Sequence, residues 1–198
     1  MACDINKLIT RLHDFYDFRD KTILSVGAGG GQLIEYARFA KKIWAIDVDR
    51  VALDHLKTRV DEKGWFHKYE LIYGDFLDFQ QQADVVLFEF CLHEMPFPAK
   101  AVEHALSLAP DVLACDHMPN SDWAYVVDET EKATQSWDAL TSFSFRKQEE
   151  FDDRQLFDNY EELYHKVAVQ GERAIERIQR YKDQKPISIS MKYGFVLV

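Results

Sequence analysis

The chain predicts a doubly wound α/β fold, a mostly parallel sheet with helices on both faces. Three observations carry this. Short apolar runs at Thr22 to Val26, Ile43 to Asp47, Glu70 to Tyr73, Val85 to Phe90 and Val112 to Cys115 alternate with segments of helical periodicity. The run from Val85 is apolar almost throughout, as in a strand buried on both faces of a parallel sheet. A glycine-rich turn, Ser25-Val26-Gly27-Ala28-Gly29-Gly30-Gly31, follows the first run, and the second run ends on an acid, Asp47.

In chain order, Ile5, Leu8, Ile9, Leu12, Phe15 and Tyr16 fall at helical spacing and predict a short amphipathic cap helix within residues 1–20. A crossover helix is expected from Gly31 to Lys41, with Leu33, Ile34, Ala37 and Ala40 inward. Asp49 is placed to cap the next helix, whose apolar face would carry Val51, Leu56 and Val60. A helix from Pro98 to Leu108 separates the fourth and fifth strands. After Asp116 the alternation stops. Residues 117–150 scatter Trp123, Tyr125, Trp137, Phe143 and Phe145 among polar residues, which predicts a lid. A strand from Glu150 to Leu156 follows, and Asp158 with Glu161 suggests a capping box opening a long helix to about Tyr181. Ile187, Ile189 and Met191 alternate, Gly194 interrupts, and Phe195 to Val198 complete a last strand.

In such a sheet, ligands bind outside the C-terminal ends of the parallel strands. Gly27, Asp47, Asp75, Glu89 and Asp116 all stand at those ends. Glycines without Cβ let the backbone turn tightly and approach a ligand, and Asp47 can accept hydrogen bonds from ribose hydroxyls.

The 198 residues fit one domain, 1–198, and a 47% hydrophobic fraction supports a core. The net charge of −10 repels nucleic-acid backbones and anionic membranes. Cys3, Cys91 and Cys115 form no metal or redox pair, which points to free thiols in a reducing compartment. The N-terminus shows no signal-peptide pattern and no run is long enough to span a membrane, so a cytoplasmic protein is expected, monomeric or homodimeric.

The glycines are spaced G-x-G-x-G, with Gln32 where the dinucleotide fingerprint wants Gly or Ala. This loop, the acid after the second strand, Gly74-Asp75-Phe76, and the stretch from Ala83 to Met95 with its Leu92-His93 ending resemble the class I S-adenosylmethionine-dependent methyltransferases. The likeness covers about residues 21–118 well. It implies a seven-stranded sheet with an antiparallel C-terminal strand, S-adenosylmethionine as cofactor and S-adenosylhomocysteine as product. Gly27, Ala28, Gly29 and Gly31 then form the cofactor loop, Asp47 and the adjacent Val48 meet the ribose, Asp75 the adenine amine and Phe76 the adenine ring. Where the family often has an acid two residues before the first glycine, this chain has Ser25. The methionine amine would then fall to backbone carbonyls and Glu89.

Methyl transfer to a small-molecule O, N or S atom needs mainly alignment. Candidate acid–base residues are Glu89, His93 and His117, with Glu94 and Asp116 nearby. No metal is expected. One alternative is a catechol-type O-methyltransferase, whose metal would sit between Glu89 and Asp116-His117. Others are a non-catalytic nucleoside-binding subunit and, against the loop spacing, a nicotinamide oxidoreductase. No Asn/Asp-Pro-Pro-Tyr/Phe tetrapeptide and no Pro-Cys pair suggests a nucleic-acid acceptor.

Overall fold

The computed structural model describes residues 4–29 and 31–198; Cys3 and Gly30 lie outside them. Its seven strands are β1 (Thr22–Val26), β2 (Lys42–Asp47), β3 (Tyr69–Tyr73), β4 (Val85–Glu89), β5 (Asp111–His117), β6 (Lys147–Phe157) and β7 (Ile187–Leu197). They form one sheet in the order β3-β2-β1-β4-β5-β7-β6. The first five are parallel, and β7 runs antiparallel between β5 and β6.

The strand order reverses between the parallel neighbours β1 and β4, the topological switch point where a doubly wound sheet opens a crevice. Both strands are lined on each face by buried aliphatics, each contributing about 1.5–3 kcal/mol of transfer free energy. One face is covered by α1 (Ile5–Phe15), α2 (Arg50–Glu62), α4 (Asp122–Val126), α6 (Tyr160–Val167) and α7 (Glu172–Ile178), and the other by α3 (Pro98–Leu108) and α5 (Thr130–Thr141).

Several elements differ from the sequence reading. No long helix follows the glycine loop; a 3₁₀ turn spans Ile34–Arg38. Gly31 at φ +66° precedes it outside helical geometry, and the Lys68 ammonium donates to the carbonyls of Ala37, Arg38 and Ala40 at its end. In α2, Asp49 does cap Val51 N, but Val51 is 62% exposed and the inner stripe is Leu53, Leu56 and Val60. Val51 stands five residues before Leu56, a rotation about 140° off that stripe. The expected helix from Asp158 to Tyr181 is broken: Asn159 caps α6, and Gly171 at φ +97° separates it from α7. Strand β6 begins earlier than expected, because it pairs with β7 along its whole length from Lys147.

Candidate active site

A cleft of about 590 Å³ opens at the switch point. Gly27, Ala28 and Gly29 form one edge, and Glu89, Phe90 and His93 the floor after β4. Gly27 must be glycine twice over. Its φ is +63°, and a Cβ there would come within 2.6 Å of Cys91 Sγ.

Glu89 sits against this loop. Ser25 and Tyr36 hydroxyls both donate to its Oε1, Tyr36 at 2.6 Å. Among the described residues no donor reaches Oε2 and no cation pairs with the carboxylate. Burial pushes its pKa up to about 7, against the pull of the two hydroxyls. Ser25, standing where the family often has an acid, therefore presents an acid borrowed from the neighbouring strand.

The remaining cofactor residues inferred from resemblance are placed differently. Asp47 braces the loop: Gly29 N donates to Oδ2 at 2.9 Å and Asp49 N to Oδ1 at 2.9 Å. Val48 beside it is 69% exposed. Asp75 caps a 3₁₀ turn by accepting from Leu77 N at 2.9 Å, and is exposed. Phe76 does not face the cleft. It is 3% exposed, edge-on to Phe88 and packed on His104, because the turn after β3 folds it under the sheet. Gly31 is a packing glycine whose missing Cβ makes room for Leu56, at 2.9 Å.

His93 leads into the other half of the cleft. Asp116, wholly buried, fixes it: the backbone N of His93 donates to Oδ2 at 3.0 Å, and Nδ1 bonds Oδ1. His117 N also donates to Oδ1, at 2.8 Å. Nε2 then points at Glu94 Oε1, 3.5 Å away, and Glu129 Oε2, 3.6 Å away. Burial depresses the imidazole pKa, but the hydrogen bond to Asp116 and the nearby carboxylates of Glu94 and Glu129 outweigh it and raise the value to about 10. His93 is thus imidazolium at neutral pH, not a free base. His117 is the reverse: burial lowers it to about 4, its ring leans on Phe90, and Nδ1 has no partner among the described residues. The catechol-type set does not assemble. Asp116 already accepts three hydrogen bonds from His93 and His117, while Glu89 is held by Ser25 and Tyr36 on the glycine-loop side.

The roof also departs from expectation. Of residues 117–150, His117, Trp123, Val127 and Glu129 line the cleft. Most of α5 packs away from it, with Trp137 buried and its Nε1 donating to the His117 carbonyl at 2.7 Å. The rest of the roof comes from Gln155 and Phe157 on β6, and from Glu162, Lys166 and Gln170 in and after α6. Ile5 and Leu8 of α1 close one side. Sequence reasoning missed these residues. Gln155 and Phe157 are buried in a mostly exposed strand, and that burial comes from packing that no local pattern shows.

This architecture, with a glycine loop after β1, an acid at the tip of β2 and a cleft at the β1/β4 switch point, defines a nucleoside-cofactor-binding Rossmann-like domain. A family model for a methyltransferase domain matches residues 1–168. The chain belongs to that family, the class I S-adenosylmethionine-dependent methyltransferases, and its cofactor is S-adenosylmethionine. Solved structures share the fold. A protein from Bacillus halodurans C-125, assigned as a methyltransferase, is 18% identical with TM-score 0.69, covering 98% of this chain and 97% of its own. A SAM-dependent methyltransferase from Aquifex aeolicus is 16% identical with TM-score 0.60, covering 100% and 90%. Magnesium protoporphyrin IX methyltransferase from Synechocystis PCC 6803, with bound SAH, is 13% identical with TM-score 0.58, covering 97% and 81%. No curated protein matches the sequence significantly.

Proposed function

We propose that this methyltransferase acts on a small molecule held in the cleft beneath Trp123, Glu129 and Phe157. The observation that carries the cofactor half is the open Oε2 of Glu89 beside Gly27 and Gly29. A buried carboxylate with hydroxyl donors but no cation is costly until a cation arrives. The ammonium of the cofactor's methionine end supplies one. Asp47 holds the loop at Gly29 and keeps acceptor capacity for ribose hydroxyls, while Asp75 stands at the tip of β3 for the adenine amine.

The acceptor half is supported by charge and size. The cleft wall carries Glu94, Glu129 and Glu162 against Lys166 and His93, a poor match for a phosphate backbone. Catalysis is mainly alignment of donor and acceptor with water excluded, which demands little of an acid–base group. His93, fixed through Asp116, orients the acceptor.

Calorimetric titration with S-adenosylmethionine and S-adenosylhomocysteine tests the cofactor site, and a survey of small phenols, thiols and amines for S-adenosylhomocysteine release tests the acceptor. Micromolar cofactor binding with turnover on one class is expected. Binding without turnover on any would favour a non-catalytic subunit, and no binding by folded protein would overturn the reading.

A further inference from the structure

The geometry points to a divalent transition-metal site, for an ion such as Zn²⁺ or Mn²⁺, formed by His93 Nε2, Glu94 Oε1 and Glu129 Oε2. These donor atoms lie within 4.8 Å of one another and come from separate stretches, the turn after β4 and the start of α5. Nε2 stands 3.5 and 3.6 Å from the two carboxylate oxygens. An imidazolium closing on a carboxylate settles nearer 2.7–2.9 Å. Two ligands at about 2.0–2.1 Å from one ion and a tetrahedral angle apart stand about 3.4 Å from each other. The spacing suits an ion between them better than a proton.

Two further observations, besides the donor distances, bear on the site. Glu129 sits at the N-cap position of α5, yet its side chain makes no capping hydrogen bond. It turns inward instead, with its side chain about nine-tenths buried; Gln170 donates to Oε1, and no donor reaches Oε2 among the described residues. Asp116 is the outer carboxylate of a carboxylate–histidine–metal arrangement. It accepts from Nδ1 and so turns Nε2 toward the cleft as the ligand atom, the ion taking the place of the Nε2 proton. Glu94 retains its second oxygen for Lys132, at 2.6 Å.

One imidazole and two carboxylates favour first-row transition metals over Mg²⁺ or Ca²⁺, which prefer all-oxygen shells. Three protein ligands leave positions open to the cleft, as in catalytic rather than structural sites. On the methyl-transfer reading above, those positions take a hydroxyl or thiol of the acceptor.

The test is metal binding itself, without cofactor. Chelator-stripped protein is titrated with Co²⁺, followed by visible absorption, and with Zn²⁺ against a chelating indicator. One equivalent is expected, with affinity reduced at least tenfold in Glu129→Gln and in His93→Gln, and about 10–100-fold in Asp116→Asn. Each variant is checked by S-adenosylhomocysteine calorimetry, which uses the other half of the cleft, so loss of metal is separable from misfolding and from failure of the cofactor assignment. Glu94→Gln, the most exposed of the set, serves as the variant least able to unfold the chain. No binding by wild type, or binding that all four substitutions leave unchanged, overturns the proposal.

Discussion

Glu89 shows how one carboxylate can serve folding and ligand binding with opposite sign. Its pKa in the folded chain is about 7, above the ordinary 4.5, because burial disfavours the ion. The neutral acid is the form the fold tolerates, so its contribution to stability is complete below about pH 4.5 and is lost as pH rises through 7. That loss amounts to about 3 kcal/mol. A cationic ligand reverses the preference. Tyr36, Ser25, Tyr69, Asp47, Cys91 and Cys115 are the polar and titratable groups around the carboxylate among the described residues, and none is a cation. Cofactor affinity should therefore climb between pH 5.5 and 8 and level off, and Glu89→Gln should flatten the climb; a calorimetric pH series reads this directly. Asp47→Ala removes the acceptor of Gly29 N and the expected ribose contact. It should weaken cofactor binding by about 1–3 kcal/mol, measured by the same titration.

Elements were legible where local chemistry decides them. Asp49 ahead of Arg50–Glu62 and Pro98 opening Pro98–Leu108 are local signals, and both helices begin where those residues require. The turn after the glycine loop was not legible, because its carbonyls are satisfied by Lys68, some 30 residues on. The break at Gly171 lies inside an apparently continuous pattern, and Gly194 in β7 has a purpose set by another element. A Cβ at Gly194 would stand 2.8 Å from Trp137 Cζ2 and 3.0 Å from Met118 Sδ. Gly194→Ala should displace Trp137 from its bond to the His117 carbonyl and destabilise the chain by about 1–3 kcal/mol, visible as a lower urea midpoint with unchanged slope.

At the scale of the molecule, the cleft is assembled from segments spread over most of the chain, from Ile5 in α1 to Met191 in β7. A ligand that binds only this assembled state stabilises all of it. S-adenosylhomocysteine at a hundred times its dissociation constant should add about 2.7 kcal/mol, raising the melting temperature by about 5–10 °C. A nicotinamide dinucleotide should leave it unmoved. Differential scanning calorimetry with each ligand distinguishes the two. No helix among the described residues is long and apolar enough to cross a membrane.

The sequence by itself determined the strands of a mostly parallel sheet and the acids at their tips, because strand period, glycine turns and caps act over a few residues. It also singled out Gly27, Gly29, Glu89 and His93, all of which line the cleft. Only the tertiary structure decided what these groups do. Burial raises Glu89 against the hydroxyls of Ser25 and Tyr36 and keeps His117 neutral, and partners far along the chain protonate His93 through Asp116 and bring Glu129 within 3.6 Å of His93. A residue's type fixes the chemistry it can offer. Its protonation and its neighbours depend on solvent exclusion and on contacts between distant segments, which no local pattern encodes.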